Sequence, residues 1–427
     1  MPEFLHIPFL FRALISLGVI LLVNKYSKKL SLSVLAGTVV LAFWTGQNIS
    51  GFFQISWNRL SSTSALCLLV IMFQIMSLSN QMSITKVMKD LVDDILSRTS
   101  QRLSMALLPA IIGLLPMPGG AMFSAPLVND CDRDKQLSPE LKTEINYWFR
   151  HIWEYFWPLY PGVIMAIEIS GLSPLQFITI QFPLCLSAIL GGYLFILRKV
   201  KIPAPEKSKT HYSPVHLVKL LLPVIIIIFT FIAVQLIAPG LSQNKYIPIM
   251  IGIFFAQITL QFQRPLNIQA WKKVLISKTS LDMMLIVAFV LMYGSFISAN
   301  LPDGSNLVSQ MRSELNNWGI PIFLILVIIP FISGLTTGIA LAFVGASMPI
   351  AISLIGPTPS HQVLLATVVL AFGSGYTGMI LSPVHVCLVV TNRYYNTSMT
   401  KSLVRLLKPA LVVFGTTVML HFLIKLV

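Results

Sequence analysis

The feature that most constrains this chain is an apolar run, Leu103 to Val128, broken at its centre by Pro116, Pro118, Gly119 and Gly120 within LPMPGGAMFSAPL. In lipid a broken helix leaves backbone N–H and C=O groups without partners. Such a break stands only where protein or a water-filled cavity covers it, and there it usually lines a site. The first arm, Leu103 to Leu115, would run roughly 20 Å as helix at about 1.5 Å per residue. That is about two-thirds of a ~30 Å hydrocarbon core. The break then falls near the membrane centre and the second arm turns back, so residues 103–128 read as a re-entrant hairpin.

Composition supports a membrane setting. The chain has 427 residues, 55% hydrophobic and 11% charged, against about 25% charged in soluble proteins. The net charge of +15 would point to nucleic acid in a soluble protein. Here it reads as Lys and Arg gathered in loops on one side of a membrane, with the lipid bilayer as the partner and no nucleic acid. Cys67, Cys185 and Cys387 lie in apolar segments and Cys131 in a polar loop, with no spacing that marks a disulfide or a metal site. The N-terminal segment lacks a basic region and a small-residue cleavage site, so it reads as an uncleaved first span.

Apolar spans cover Ile7–Asn24, Leu32–Phe52 and Ser64–Met82. Ile84 to Arg102 then places Val87, Met88, Leu91, Val92, Ile95 and Leu96 on one helical stripe, the pattern of a helix lying in the interface. The hairpin follows, then Ile145–Ser170 and Ser173–Leu197. A basic, proline-bearing linker covers 198–214, after which the order starts again. Spans at His216–Ala238, Tyr246–Phe262 and Ser280–Ala299 lead to an amphipathic stretch, Gly304–Trp318. A second broken segment covers 319–355 and is interrupted by Pro330 and SGLTTG. A segment over 361–391 contains GSGYTG, and a last span covers Ser402–Val427. Two repeats, 1–197 and 215–427, are thus expected. If both broken segments re-enter, each repeat crosses an odd number of times and the second is inverted, the plan of many secondary transporters.

Charge placement gives an independent check. With the N-terminus outside and both hairpins re-entrant, the clusters at Lys25, Lys86, Arg133, Arg198, Lys272 and Arg393 all fall inside. Only Arg59, Lys245, Arg312 and Lys425 fall outside. The positive-inside rule therefore favours about ten transmembrane helices plus two hairpins, with both termini outside. The expected fold is an all-α polytopic protein of the cytoplasmic membrane.

The broken segments hold the candidate site residues. The N–H groups of Gly119, Gly120 and Ala121, with Pro118 before them, start the second hairpin arm, and a helix N-terminus favours an anion. At the second break, Ser333, Thr336 and Thr337 offer hydroxyls and carbonyls that either bind Na⁺, with Gly375, or satisfy the backbone and let helices pack closely. GSGYTG spells G-x-G-x-x-G but lacks the preceding strand a dinucleotide site needs. It reads instead as an unwound helix centre at Gly375 and Thr377, with Ser382 and His385 just beyond.

In the first half, Tyr147, Arg150, His151, Glu154, Pro158 and Pro161 recur at helical spacing and would share one face. Ionisable groups in an apolar segment cost roughly 2.5–3.5 kcal/mol each for Arg or Asp on insertion scales, so they face a cavity and work there, or Arg150 and Glu154 only pair with each other. Glu154, His151 and His385 are the candidates for coupling to a proton. Glu168 and Asp282, near span ends, read as solvated interfacial charges.

The runs PMPGGAMFSAP, FWPLYPG and GYTGMILSPVH resemble an uncharacterised bacterial and archaeal integral-membrane family of unknown function. That family is grouped with the ion transporter superfamily of dicarboxylate, citrate and gluconate carriers and sodium–proton antiporters. The resemblance covers nearly the whole chain. It implies a homodimer with a static scaffold and a mobile unit built on the two hairpins. The dicarboxylate branch carries Ser-Asn-Thr at its hairpin tips where this chain has PMPGG and SGLTTG, so the resemblance fixes no substrate.

The expected function is a secondary active transporter for a small organic anion, coupled to Na⁺ or H⁺ and needing no cofactor, with an elevator-type motion implied by the resemblance. A sodium–proton antiporter using Glu154 is the nearest alternative. A channel or an intramembrane enzyme is further away, the chain having no H-E-x-x-H, G-x-S-x-G or P-loop. The topology is testable with single cysteines in a cysteine-free background. Those at Ser138 and Ser208 should label only from the cytoplasm and one at Ser360 only from outside. Labelling of Ser208 and Ser360 from the same face would refute the inverted arrangement.

Overall fold

In the computed structural model the described residues are 7–27, 29–114, 116, 120–132, 136–200, 214–238, 240–241, 244–299 and 307–426. The side chains of 88, 97, 98, 214 and 307–309 are left out. Of the expected site, Pro118 and Gly119 lie outside the described residues, as does most of the basic linker.

Among the described residues the chain is helical throughout, with no strand. The first half runs α1 (Phe9–Ser27), α2 (Leu30–Trp44), α3 (Ile49–Leu60), α4 (Thr63–Ile84), α5 (Val87–Arg98), α6 (Gln101–Ile112), α7 (Gly120–Cys131), α8 (Pro139–Arg150), α9 (Pro161–Ser170) and α10 (Pro174–Phe195). The second half runs α11 (Pro214–Ile237), α12 (Ile247–Gln263), α13 (Ile268–Leu275), α14 (Lys278–Ile297), α15 (Leu307–Asn317), α16 (Ile322–Thr337), α17 (Ala340–Ser353), α18 (His361–Ile380), α19 (Val386–Tyr395) and α20 (Met399–Leu426).

Seven helices among the described residues are long and apolar enough to cross a membrane, as in a multi-pass membrane protein. The expectation of about ten crossings also needs the shorter apolar α2 and α12 and the broken pair α8–α9. The starts are chemically marked. Ser62, Ser100, Ser138, Ser173 and Ser360 each accept a hydrogen bond from a backbone N–H in the first turn, satisfying donors that a helix start leaves open.

The structure departs from the sequence expectation at several elements. The span expected over Leu32–Phe52 ends at Trp44. Gly46, at φ 71°, turns the chain, and Asn48 caps a separate amphipathic helix, α3. Helix α13, capped by Asn267, is a second short helix outside the expected spans. Cys131, expected in a polar loop, is buried as the last residue of α7.

The helix expected to carry Tyr147 to Pro161 on one face stops at Arg150. Residues 151–160 form turns before α9 begins at Pro161. Pro158 and Pro161 lack an N–H and disfavour helix in the residue before them. Conversely, α18 runs unbroken through Gly373–Gly378, and the break comes after it, at residues 381–385.

The glycines of that motif serve packing. A methyl group on Gly378 would lie 2.1 Å from the Phe331 carbonyl oxygen, and one on Gly334 would lie 2.0 Å from that of Gly375. Helices α16 and α18 therefore cross backbone to backbone, as small residues permit in membranes. Of the spanning window of α18, 83% is buried, against 17% for that of α11, so α18 is central and α11 peripheral.

The packing divides the helices into two groups. In one, α1 packs on α2 and α11 on α12, while α2 meets α14, α12 meets α4, and α4 meets α14. In the other, α6 pairs with α7 and α16 with α17. Helix α7 packs on α19, α9 on α17, and α10 on α20. Exchanging the two halves exchanges these pairings. The groups touch chiefly where α14 meets α17, where α1 meets α16 and α17, and where α5 meets α6.

The α16–α18 crossing gives a direct test. Gly378→Ala inserts a methyl group where backbone already stands and should cost about 1–3 kcal/mol, seen as a lowered thermal midpoint in detergent. Gly415→Ala, which meets nothing within 4 Å, should change stability by no more than about 0.5 kcal/mol. Equal midpoints for the two variants would refute the close crossing.

Candidate functional site

The breaks in the two halves meet. In the first, the arms α6 and α7 pack as a hairpin, and the end of α6 leaves carbonyls that α8–α9 must satisfy. Trp153 Nε1 donates to the Ala110 carbonyl at 2.7 Å, and Trp157 Nε1 donates to that of Leu114 at 3.0 Å. The Tyr160 hydroxyl donates to the Gly113 carbonyl. The aromatic run after Arg150 thus caps the hairpin.

In the second half, the Ser382 hydroxyl donates to the Leu335 carbonyl at 2.6 Å, near the end of α16. Gly338, at φ 62°, makes the turn into α17. The halves are tied by Tyr147, whose hydroxyl donates to the Ile380 carbonyl at 2.9 Å, and by Tyr376, whose hydroxyl donates to the His151 carbonyl at 2.8 Å.

Between these breaks lies a cavity of about 250 Å³, lined by Arg150, His151, Glu154 and His385, with Pro116 and Cys387. Met76 of α4 and Met283 of α14 close its other side, so it sits where the two helix groups meet. A larger cavity, about 400 Å³, between α4, α12 and α13 has no titratable group in its lining.

Arg150, His151, Glu154 and His385 are all buried. His151 Nε2 is 3.1 Å from His385 Nε2 and 3.9 Å from Glu154 Oε1. The Tyr376 hydroxyl oxygen lies 3.4 Å from Glu154 Oε2. The His151 Nδ1 lies 2.6 Å from the Tyr147 carbonyl oxygen. The guanidinium of Arg150 packs on the start of α7, so closely that a methyl group on Gly120 would lie 2.5 Å from Nη2. Ala121, one residue on, is buried.

The structure therefore brings Gly120, Arg150, His151, Glu154 and His385 together. Ser333, Thr336, Thr337 and Thr377 are not in the lining of their cavity, while the Ser382 carbonyl accepts from the His385 N–H at 3.3 Å. Ser333 is buried, while Thr336 is on the exposed side of α16, its hydroxyl donating to the Ile332 carbonyl at 2.7 Å. Thr337 donates to the Ser333 carbonyl at 2.6 Å, and Thr377 to that of Gly373 at 2.7 Å, inside α18. Gly375 packs on Phe343 and Gly334. Gly375 therefore lies against the neighbour of Ser333, whose hydroxyl is buried.

Several residues escaped the sequence reading. Asn146 donates to the Ala121 carbonyl at 3.2 Å and to the Thr391 hydroxyl at 2.9 Å, joining α7, α8 and α19. Its position one residue before Tyr147 in an apolar segment was the available signal. Cys387 was set aside because its partners are distant in sequence.

Glu168 is not the expected solvated charge. Its side chain is 6% exposed and pairs with Arg59 at 2.7 Å and Lys245 at 3.3 Å. It also accepts hydrogen bonds from the Ser64 and Tyr246 hydroxyls. Asp282 is exposed and accepts a hydrogen bond from Ser31.

Comparison with known proteins places this architecture. The structure is similar to that of the YdaH transporter of Alcanivorax borkumensis, described as having an unusual topology. The TM-score is 0.60 at 10% sequence identity, over 89% of this chain and 90% of that one. No curated protein matches the sequence. A family model matches residues 11–427, and the chain belongs to that family, described as a protein of unknown function, DUF401.

Proposed function

We propose that this protein is a secondary active transporter that moves a small organic anion across the cytoplasmic membrane, coupled to Na⁺ or H⁺. The observation that carries this reading is the seating of Arg150 on the first turn of α7. A helix start carries roughly half a positive charge, and a guanidinium beside it adds another. Two positive features at the edge of one cavity favour an anion in that cavity. Glu154 opposes that anion in its charged form and admits it when protonated, which links binding to a proton. The likeness to a transporter fold supports the same reading.

In this proposal the repeats are inverted, and α6–α10 with α16–α20 form the moving unit. Helices α1–α5 with α11–α15 form a scaffold, assembled as a homodimer, with both termini outside. The division of the helices into two packing groups supports an elevator-type motion. A sodium–proton antiporter is the second reading, favoured by the buried cluster of Glu154, His151 and Tyr376.

Two experiments test it. Carboxylates bound by the folded protein should raise its apparent stability by about 2.7 kcal/mol at a concentration 100 times Kd. Arg150→Lys keeps the charge but loses the planar fork and should weaken binding. Arg150→Ala should cost about 2–5 kcal/mol, part of it from Glu154 left alone. The double variant Arg150→Ala with Glu154→Gln removes that complication. An anion bound as tightly by the double variant as by the parent would make Arg150 structural.

In proteoliposomes, Glu154→Gln should abolish pH-dependent uptake yet keep exchange of preloaded substrate. Unchanged pH dependence in this variant would assign the driving force to Na⁺.

A further inference from the structure

We propose that His151, His385 and Cys387 form a site for a transition-metal cation of the Zn²⁺ class at the wall of the cavity. The nitrogen and sulfur atoms of the three residues lie within 4.8 Å of one another. The two Nε2 atoms are 3.1 Å apart and face each other. A tetrahedral ion with metal–nitrogen bonds of about 2.0–2.1 Å holds its two nitrogens roughly 3.3 Å apart, so the rings already stand near the spacing a metal requires.

The proton arrangement fits as well. His151 Nδ1 lies 2.6 Å from the Tyr147 carbonyl oxygen. That bond needs the proton on Nδ1 and leaves the Nε2 lone pair pointing at His385. A backbone carbonyl fixing the tautomer of a ligating histidine is the usual outer-shell support of a metal site.

The other charges facing the cluster are Arg150 and Glu154. Arg150 opposes a cation. Glu154 and the thiolate form of Cys387, the form that binds metal, offset it, and Glu154 stands beside His151 Nε2 at 3.9 Å, where it can complete the ligand set. Nitrogen and sulfur donors together favour zinc-like ions over Na⁺, Mg²⁺ or Ca²⁺, which prefer oxygen.

The ligands come from the break after α8 and from the start of α19. A bound ion would therefore tie the two halves together across the cavity. The site shares residues with the proposed transport reading but does not depend on it.

The test uses the full chain purified in detergent, with no substrate and no gradient, and Co²⁺ as a spectroscopic probe. Wild type should bind one Co²⁺ per chain, with a sulfur-to-metal charge-transfer absorption and the intense visible bands of a tetrahedral site, both displaced by Zn²⁺. Cys387→Ser should lose the charge-transfer absorption. His385→Gln should weaken Zn²⁺ binding by more than the roughly 10–100-fold lost when an outer-shell partner is removed.

A variant with Cys67, Cys131 and Cys185 replaced by Ser keeps Cys387 and should retain the full spectrum, so a loss in Cys387→Ser belongs to that thiol, and an unchanged thermal midpoint of Cys387→Ser without metal shows that it folds. Absence of the charge-transfer absorption from wild type, or its persistence in Cys387→Ser, would overturn the proposal. Either failure leaves the transport reading untouched, because no transport is measured.

Discussion

The rest of the structure depends on a backbone requirement. A helix broken in hydrocarbon must find partners for its open carbonyls inside the protein. Here they come from the other broken segments. Trp153, Trp157 and Tyr160, all in the turns between α8 and α9, donate to the last carbonyls of α6. Ser382, between α18 and α19, donates to a carbonyl near the end of α16. Each hairpin is held open by the break of a later element in its own half, and Tyr147 and Tyr376 then lock the halves to each other. The cavity follows from this exchange, because four chain breaks cannot pack as densely as four helices.

Much of this was legible in the sequence, and what was missed has physical causes. Proline and glycine within apolar runs marked the hairpins, because no other residues interrupt a membrane helix so cheaply. The same reasoning failed at Gly373–Gly378. Glycine both unwinds helices and lets them touch, and only the facing backbone of α16 decides between the two. Tyr147 to Pro161 were gathered for the wrong reason. Helical spacing was applied across a region that two prolines unwind, yet Arg150, His151 and Glu154 still converge, because a tight turn also returns the chain to one side. Ser333, Thr336 and Thr337 looked like ligands because hydroxyls in apolar segments are scarce. The structure shows Thr336 and Thr337 bonded back into their own helix, a use that sequence alone cannot separate from ion binding.

Contacts between residues far apart in sequence were the least legible. His151 and His385 are 3.1 Å apart, but no spacing rule joins them, and Cys387 is significant only once they meet. The exchange of pairings between halves, α2 with α14 and α12 with α4, likewise belongs to the assembled molecule. Helices α3 and α13 are hard to read from sequence for a simpler reason, each being short, amphipathic and marked by little more than an Asn cap.

Glu168 sits on α9, whereas its partners Arg59, Ser64, Lys245 and Tyr246 belong to α3, α4 and the approach to α12. The knot therefore fastens one helix group to the other at a distance from the cavity. A carboxylate stripped of such partners while still buried costs several kcal/mol. Arg59 and Glu168 also line a cavity of about 230 Å³, so this fastening meets solvent and should weaken as salt rises, unlike the apolar contacts around it.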